Sequence, residues 1–262
     1  MYSKEHIIFL KKEKRKNFII KFFQILIITI FLILWQILAD IGFINTFITS
    51  SPKEVINTLI KLNNEGLFNH IFVTVYETIF SFTLGTIIGI MIATILWWNN
   101  YLFKIFDPYL TILNSLPKVA LGPIIIIWCG SGIKSIIIMA LLISVIITII
   151  NISNCFNEVN ENKIKLFKSF KSTKSQLFFK LILPSSLNSI ISSLKINISL
   201  TLIGVIMGEF LVSKKGIGYL ILYGSQIFNL NLVMSGIIVL CFVATIMYYL
   251  VLFLEKKLTH KS

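Results

Sequence analysis

Residues 157–184 read NEVNENKIKLFKSFKSTKSQLFFKLILP. This is the longest polar interruption in a chain that otherwise reads as membrane. Lysines stand at 163, 165, 168, 171, 174 and 180, yet Leu177, Phe178, Leu181 and Ile182 recur at helical spacing as an apolar stripe. A basic, amphipathic segment between two apolar runs is a surface for meeting either a layer of lipid headgroups or another protein.

The rest of the chain narrows the choice. Of 262 residues, 56% are hydrophobic and 13% charged, and the mean hydropathy is +0.89. Soluble domains carry about 25% charged residues. The deficit leaves too little polar surface to cover a soluble globule, so the apolar excess belongs in a bilayer. The length accommodates roughly five to seven spans with their loops. A net charge of +13 would suggest nucleic acid in a soluble protein. Here lysines collected in loops facing anionic lipid explain it, and nucleic acid is excluded as a partner. Cys129, Cys155 and Cys241 form no CxxC or Cys/His cluster, so neither a disulfide framework nor a metal site is expected.

Residues 1–21 form a basic arm, and 22–41 are nearly all apolar. That run is too long for the core of a signal peptide and lacks a small-x-small cleavage site, so it reads as a retained first span. Ser51-Pro52-Lys53-Glu54 reads as a helix start, with Ser51 as cap and proline in the first turn. His70 follows as a lone polar residue with no partner cluster in the sequence. The second span covers 78–97. Its Gly85, Gly89 and Ala93 lie on one face, the spacing that lets another helix approach closely. A third span over 108–128 is expected to open at Asp107-Pro108 and to bend at Pro117 and Pro123. Backbone groups freed by such a bend must face protein or water. Asn114, Ser115 and Pro117 are therefore candidates to line a path, or else mark a packed kink. Spans over 133–152, 187–211 and 232–254 follow, with a loop at 213–230 and a basic tail at 255–262. Asn197 and Thr201, within the fifth span, are further path candidates. The expected fold is all-α, with six transmembrane helices.

Six spans place both termini on one side. That side then holds the arm, the tail and the lysine-rich 157–184 stretch. The other side holds only Lys53, Lys61, Lys134, Lys214 and Lys215 of the 24 lysines and arginines. By the positive-inside rule the termini and that stretch are cytoplasmic. No HExxH, GxSxG or phosphate loop is present, so no enzyme activity is expected and the chain binds no cofactor of its own. Glu209 stands alone near the end of an apolar span, as a functional group or as a contact to the loop after it. With no energy source visible, an energised transporter needs a partner.

Counted back from Pro184, residues 165–184 resemble the cytoplasmic EAA loop of bacterial ABC-importer permeases. Gln176-Leu177-Phe178-Phe179-Lys180-Leu181-Ile182-Leu183-Pro184 is similar to its second half. Ile203-Gly204-Val205-Ile206-Met207-Gly208-Glu209-Phe210 and Lys215-Gly216-Ile217-Gly218-Tyr219 resemble the continuation. Leu116-Pro117-Lys118-Val119-Ala120-Leu121-Gly122-Pro123 and Trp128-Cys129-Gly130-Ser131-Gly132 are similar to the branch that includes nitrate, taurine, aliphatic-sulfonate and vitamin-precursor permeases. Lys171 stands at the loop's glycine position, and Glu77 stands where many members carry arginine.

The resemblance implies a type I importer permease in a bacterial-type inner membrane. Two copies would form a homodimer and meet a cytoplasmic ABC ATPase dimer, which binds the ATP. An extracytoplasmic solute-binding protein would deliver a small organic or inorganic anion or a vitamin precursor. Lys165, Phe167, Phe170, Lys171, Gln176, Leu177, Phe178 and Pro184 would dock the ATPase, with the stripe at 177, 178, 181 and 182 as an apolar ridge. The competing classes are a stand-alone secondary transporter or channel, and a non-transporting membrane scaffold.

Overall fold

The computed structural model describes residues 4–259, so the first three residues of the arm and the last three of the tail lie outside it. Every regular element among the described residues is helical. The first helix, α1 (Lys4–Asp40), carries the basic arm and the first span as one continuous rod. A single turn, α2 (Thr46–Thr49), leads to α3 (Pro52–Asn64). The Ser51 hydroxyl accepts from the Glu54 N–H at 3.3 Å and Pro52 occupies the first turn, as the sequence indicates.

The long helix α4 (Leu67–Trp98) begins well before the expected second span. Next comes α5 (Asn100–Ser115), which opens at Asn99 rather than at Asp107. Asn99 wins because its side chain accepts from the N–H groups of Tyr101 and Leu102, at 3.0 and 3.4 Å. Pro108 then lies inside the helix. The expected third span is not one rod. Leu116 turns extended (ψ 137°), as a residue before proline prefers. The chain resumes as a 3₁₀ turn and α6 (Gly122–Cys129), bent by 86° from α5. Pro123 sits harmlessly in the first turn of α6, so the break belongs to Pro117.

α7 (Ile133–Asn157) leads into the short α8 (Glu161–Ser169) and α9 (Lys174–Leu177). A π-turn over Phe178–Ile182 joins α9 to α10 (Leu183–Val212). The expected 213–230 loop contains a helix, α11 (Ile217–Gln226), and α12 (Leu230–Thr259) ends the fold. Among the described residues five helical stretches are long and apolar enough to cross a membrane, and six if the bent α5–α6 pair counts as one broken span.

Small residues let α4, α7 and α10 form the centre. Gly85 and Gly89 pack on Ser144 and Thr148 of α7, and Ala93 is fully buried. On α10, Gly204 and Gly208 lie against the backbone of Ala140 and Ile136. In lipid, such close backbone approach replaces the hydrophobic drive available in water. α1 stands outside this centre, with none of its apolar window buried. Its Gln36 side chain accepts from the Lys53 N–H at 3.0 Å.

Candidate functional site

The polar interruption folds as a projecting helix on an internal anchor. The anchor is Phe178, 3% exposed. Its ring lies 4.8 Å from Trp97, 5.6 Å from Trp98 and 5.4 Å from Phe156, centroid to centroid. Leu177, Leu181 and Ile182 join it in a core with Ala93, Ile152 and Ile190. The stripe assigned from sequence to a partner is turned inward, with Leu177 and Phe178 buried in the chain's own core. Burial of a Phe-sized side chain is favourable by about 1.5–3 kcal/mol, which exposure to a partner groove could not recover in the free chain.

Gln176 is also occupied. Its Oε1 accepts from the Thr173 N–H at 3.0 Å, while the Thr173 hydroxyl accepts from the Gln176 N–H at 3.2 Å. This capping box starts α9. Lys174 reaches back to the Trp98 carbonyl at 2.5 Å and lies 5.8 Å from the Trp97 ring centroid.

What projects is α8. Asn160 caps it by accepting from the Asn162 N–H. Ile164 and Phe167 rest half-buried on the core beneath. Leu166 and Phe170 point away, 55% and 75% exposed. Lys165 is exposed and pairs loosely with Glu161 at 3.7 Å. Lys171 closes α8 with φ +55°, the left-handed region, at the position where the resembled loop carries glycine. Pro184 occupies the first turn of α10 and is exposed.

The path candidates separate. Asn114, Ser115 and Pro117 are exposed at the α5 break. Asn114 accepts from Lys118 Nζ at 3.3 Å, and the Ser115 hydroxyl donates to the Thr111 carbonyl at 3.0 Å. Asn197 and Thr201 do not reach open space. Asn197 donates to the Thr148 hydroxyl at 2.6 Å, and the Thr201 hydroxyl donates to the Asn197 carbonyl at 2.8 Å. Both are buried against α7 because it is the polar partner that α10 finds inside the bundle.

Sequence reasoning missed two features. The first is a buried acidic node. Glu209 Oε1 accepts from the Thr74 hydroxyl at 2.6 Å, and its Oε2 from the Gly218 N–H at 2.5 Å. Thr74 also accepts from the Ile217 N–H at 2.8 Å, and His70 Nδ1 from the Gly216 N–H at 3.1 Å. Glu77 is buried beside Glu209, and its Oε2 has no hydrogen-bond partner. His70 is thus no isolated loop residue, and Glu209 makes the loop contact that sequence left as one of two readings. Gly216, at φ +111°, leaves no room for a Cβ against the Glu209 carboxyl. The glycines flanking Ile217 were the available signal.

The second is a polar cavity of about 480 Å³ between the end of α7 and the start of α10. Asn151 and Asn154 line it from α7, and Asn188, Ser189, Ser192 and Ser193 from α10. Their signal was spacing: polar residues three or four apart on one face of each span.

Comparison with known proteins places this architecture. Residues 85–260 match the family model described as "Binding-protein-dependent transport system inner membrane component". A Bacillus subtilis protein named for aliphatic sulfonates transport is 26% identical, with 89% of this chain and 85% of that protein covered. A formylaminopyrimidine transport permease protein of Halalkalibacterium halodurans is also 26% identical, over 72% of this chain and 75% of its own. The fold is similar to a chain of a methionine ABC transporter in an inward-facing conformation. The TM-score is 0.63 at 18% identity, covering 74% of this chain and 95% of that one.

Proposed function

Because the chain belongs to the family of binding-protein-dependent transport system inner membrane components, we propose that it is the permease of an ATP-driven importer. Two copies enclose the path, in a bacterial-type inner membrane with both termini cytoplasmic. A cytoplasmic ABC ATPase supplies the energy, and an external solute-binding protein delivers a small organic or inorganic anion or a vitamin precursor.

One observation carries the reading: the build of residues 160–182. A helix bearing Leu166 and Phe170 on its outer face is fixed to the bundle through Phe178, which touches both α4 and α7. An outward apolar pair on a rigid mount fits a groove in a partner. Force applied there passes to two spans rather than dissipating in a loose loop. Nucleotide binding that closes the ATPases can thereby shift the spans between inward- and outward-open states.

Docking thus moves from the inward stripe to Leu166, Phe170 and the flanking lysines 163, 165 and 171. The test is co-expression with the ATPase subunit and purification by a tag on that subunit. Leu166→Asp and Phe170→Asp should each lose co-purification and ATP-driven uptake while the chain keeps a normal gel-filtration profile. If both variants still co-purify and transport, the docking assignment is wrong.

A further inference from the structure

The cavity between α7 and α10 lies at the α8 end of the bundle. Glu158, the residue capping α7, also lines it, and from there to Asn151 is about 10 Å along the helix, at 1.5 Å per residue. Amides and hydroxyls in two spanning helices cannot rest against hydrocarbon without cost, so this face meets water or protein. Asn151, Asn154, Asn188 and Ser189 have no side-chain hydrogen bond among the described residues and remain available. The cavity is an open groove with room of about 480 Å³.

Its charge is the informative part. The chain has 24 lysines and arginines, yet none lines this cavity. The nearest one along α10, Lys195, is held by Glu255 at 2.9 and 3.1 Å. Lys163 borders an adjoining cavity of about 230 Å³ together with Glu158, opposite in sign. An anion entering would shed water and meet no cation in the lining, only the Glu158 carboxyl, whereas paired donors and acceptors suit an uncharged solute.

We propose that this groove is a transit site for an uncharged solute rich in hydrogen-bonding groups, and that it disfavours anions. The inference rests on the transport reading and narrows its solute class.

The test reads local charge directly. Ser189→Cys is placed in a chain with Cys129, Cys155 and Cys241 replaced by serine or alanine. The full complex is studied in inside-out vesicles. Modification rates are compared for an uncharged and a sulfonate-bearing methanethiosulfonate, each normalised to its rate with a free thiol in solution. The sulfonate reagent should be slower by about 10-fold or more, the scale on which a local field alters encounter. Asn154→Lys in the same background should abolish the difference. Equal normalised rates without the added lysine, or no labelling by either reagent, overturns the proposal. ATP-driven uptake by the same vesicles is measured in parallel. Selective labelling without uptake defeats the transport reading, and with it the transit role, whereas uptake with unselective labelling defeats the solute class alone.

Discussion

Removing the Glu209 carboxyl should unlock the end of the bundle where α4, α10 and α11 meet. Glu209→Ala takes the acceptor from the Thr74 hydroxyl and the Gly218 N–H and leaves Glu77 facing a void. Each buried group so orphaned costs about 1–3 kcal/mol. With two such donors orphaned, we expect a loss of about 2–6 kcal/mol. For a chain of this length, the corresponding fall in melting temperature is about 10 °C. Glu77→Gln makes the informative contrast. An amide keeps the shape of the Glu77 carboxyl, removes its charge and offers an N–H toward Glu209. That variant should melt within a few degrees of the unmodified protein. Glu77→Arg should also hold, by pairing with Glu209. The assay is thermal unfolding in detergent followed by loss of the monodisperse gel-filtration peak. If Glu77→Gln destabilises as much as Glu209→Ala, Glu209 is not the group that holds the node. If Glu209→Ala melts normally, the node does not hold these elements together.

Three further outcomes follow from the packing. Lys171→Gly removes a side chain from a left-handed position and should stabilise the turn between α8 and α9 by about 1 kcal/mol, read as slower proteolysis there. Phe178→Ala should cost about 3–5 kcal/mol and lower the yield of folded protein, since the ring is the anchor under α8. Gly208→Ala places a methyl against the backbone of Ile136 and should cost about 1–3 kcal/mol in melting experiments, because neither helix can yield locally.

The spans were legible because hydropathy and length are properties of single segments. The bend at Pro117 was legible for the same reason, though its 86° angle was not. Gly85 and Gly89 carried their packing face openly, since nothing but close helix approach calls for that spacing. Phe178 shows where the reading fails. An apolar stripe at helical spacing says that one face is covered, but not by what, and here the cover is Trp97, Phe156 and Ile152 of the same chain. Asn197 and Thr201 mislead in the reverse sense. Polar groups in a span need a partner, and a neighbouring helix serves as well as a water-filled path. Glu77 and Glu209 lie 132 positions apart, and no local pattern joins them.

The central claim is that this chain conducts solute only when a separate ATPase drives it. Purified chain is reconstituted in proteoliposomes with and without the ATPase subunit, the binding protein supplying its labelled solute from outside. Uptake should require the ATPase, enclosed ATP and the binding protein together, and Phe170→Asp should abolish it. Uptake by the chain alone, driven by a sodium or proton gradient and indifferent to ATP, would contradict the account.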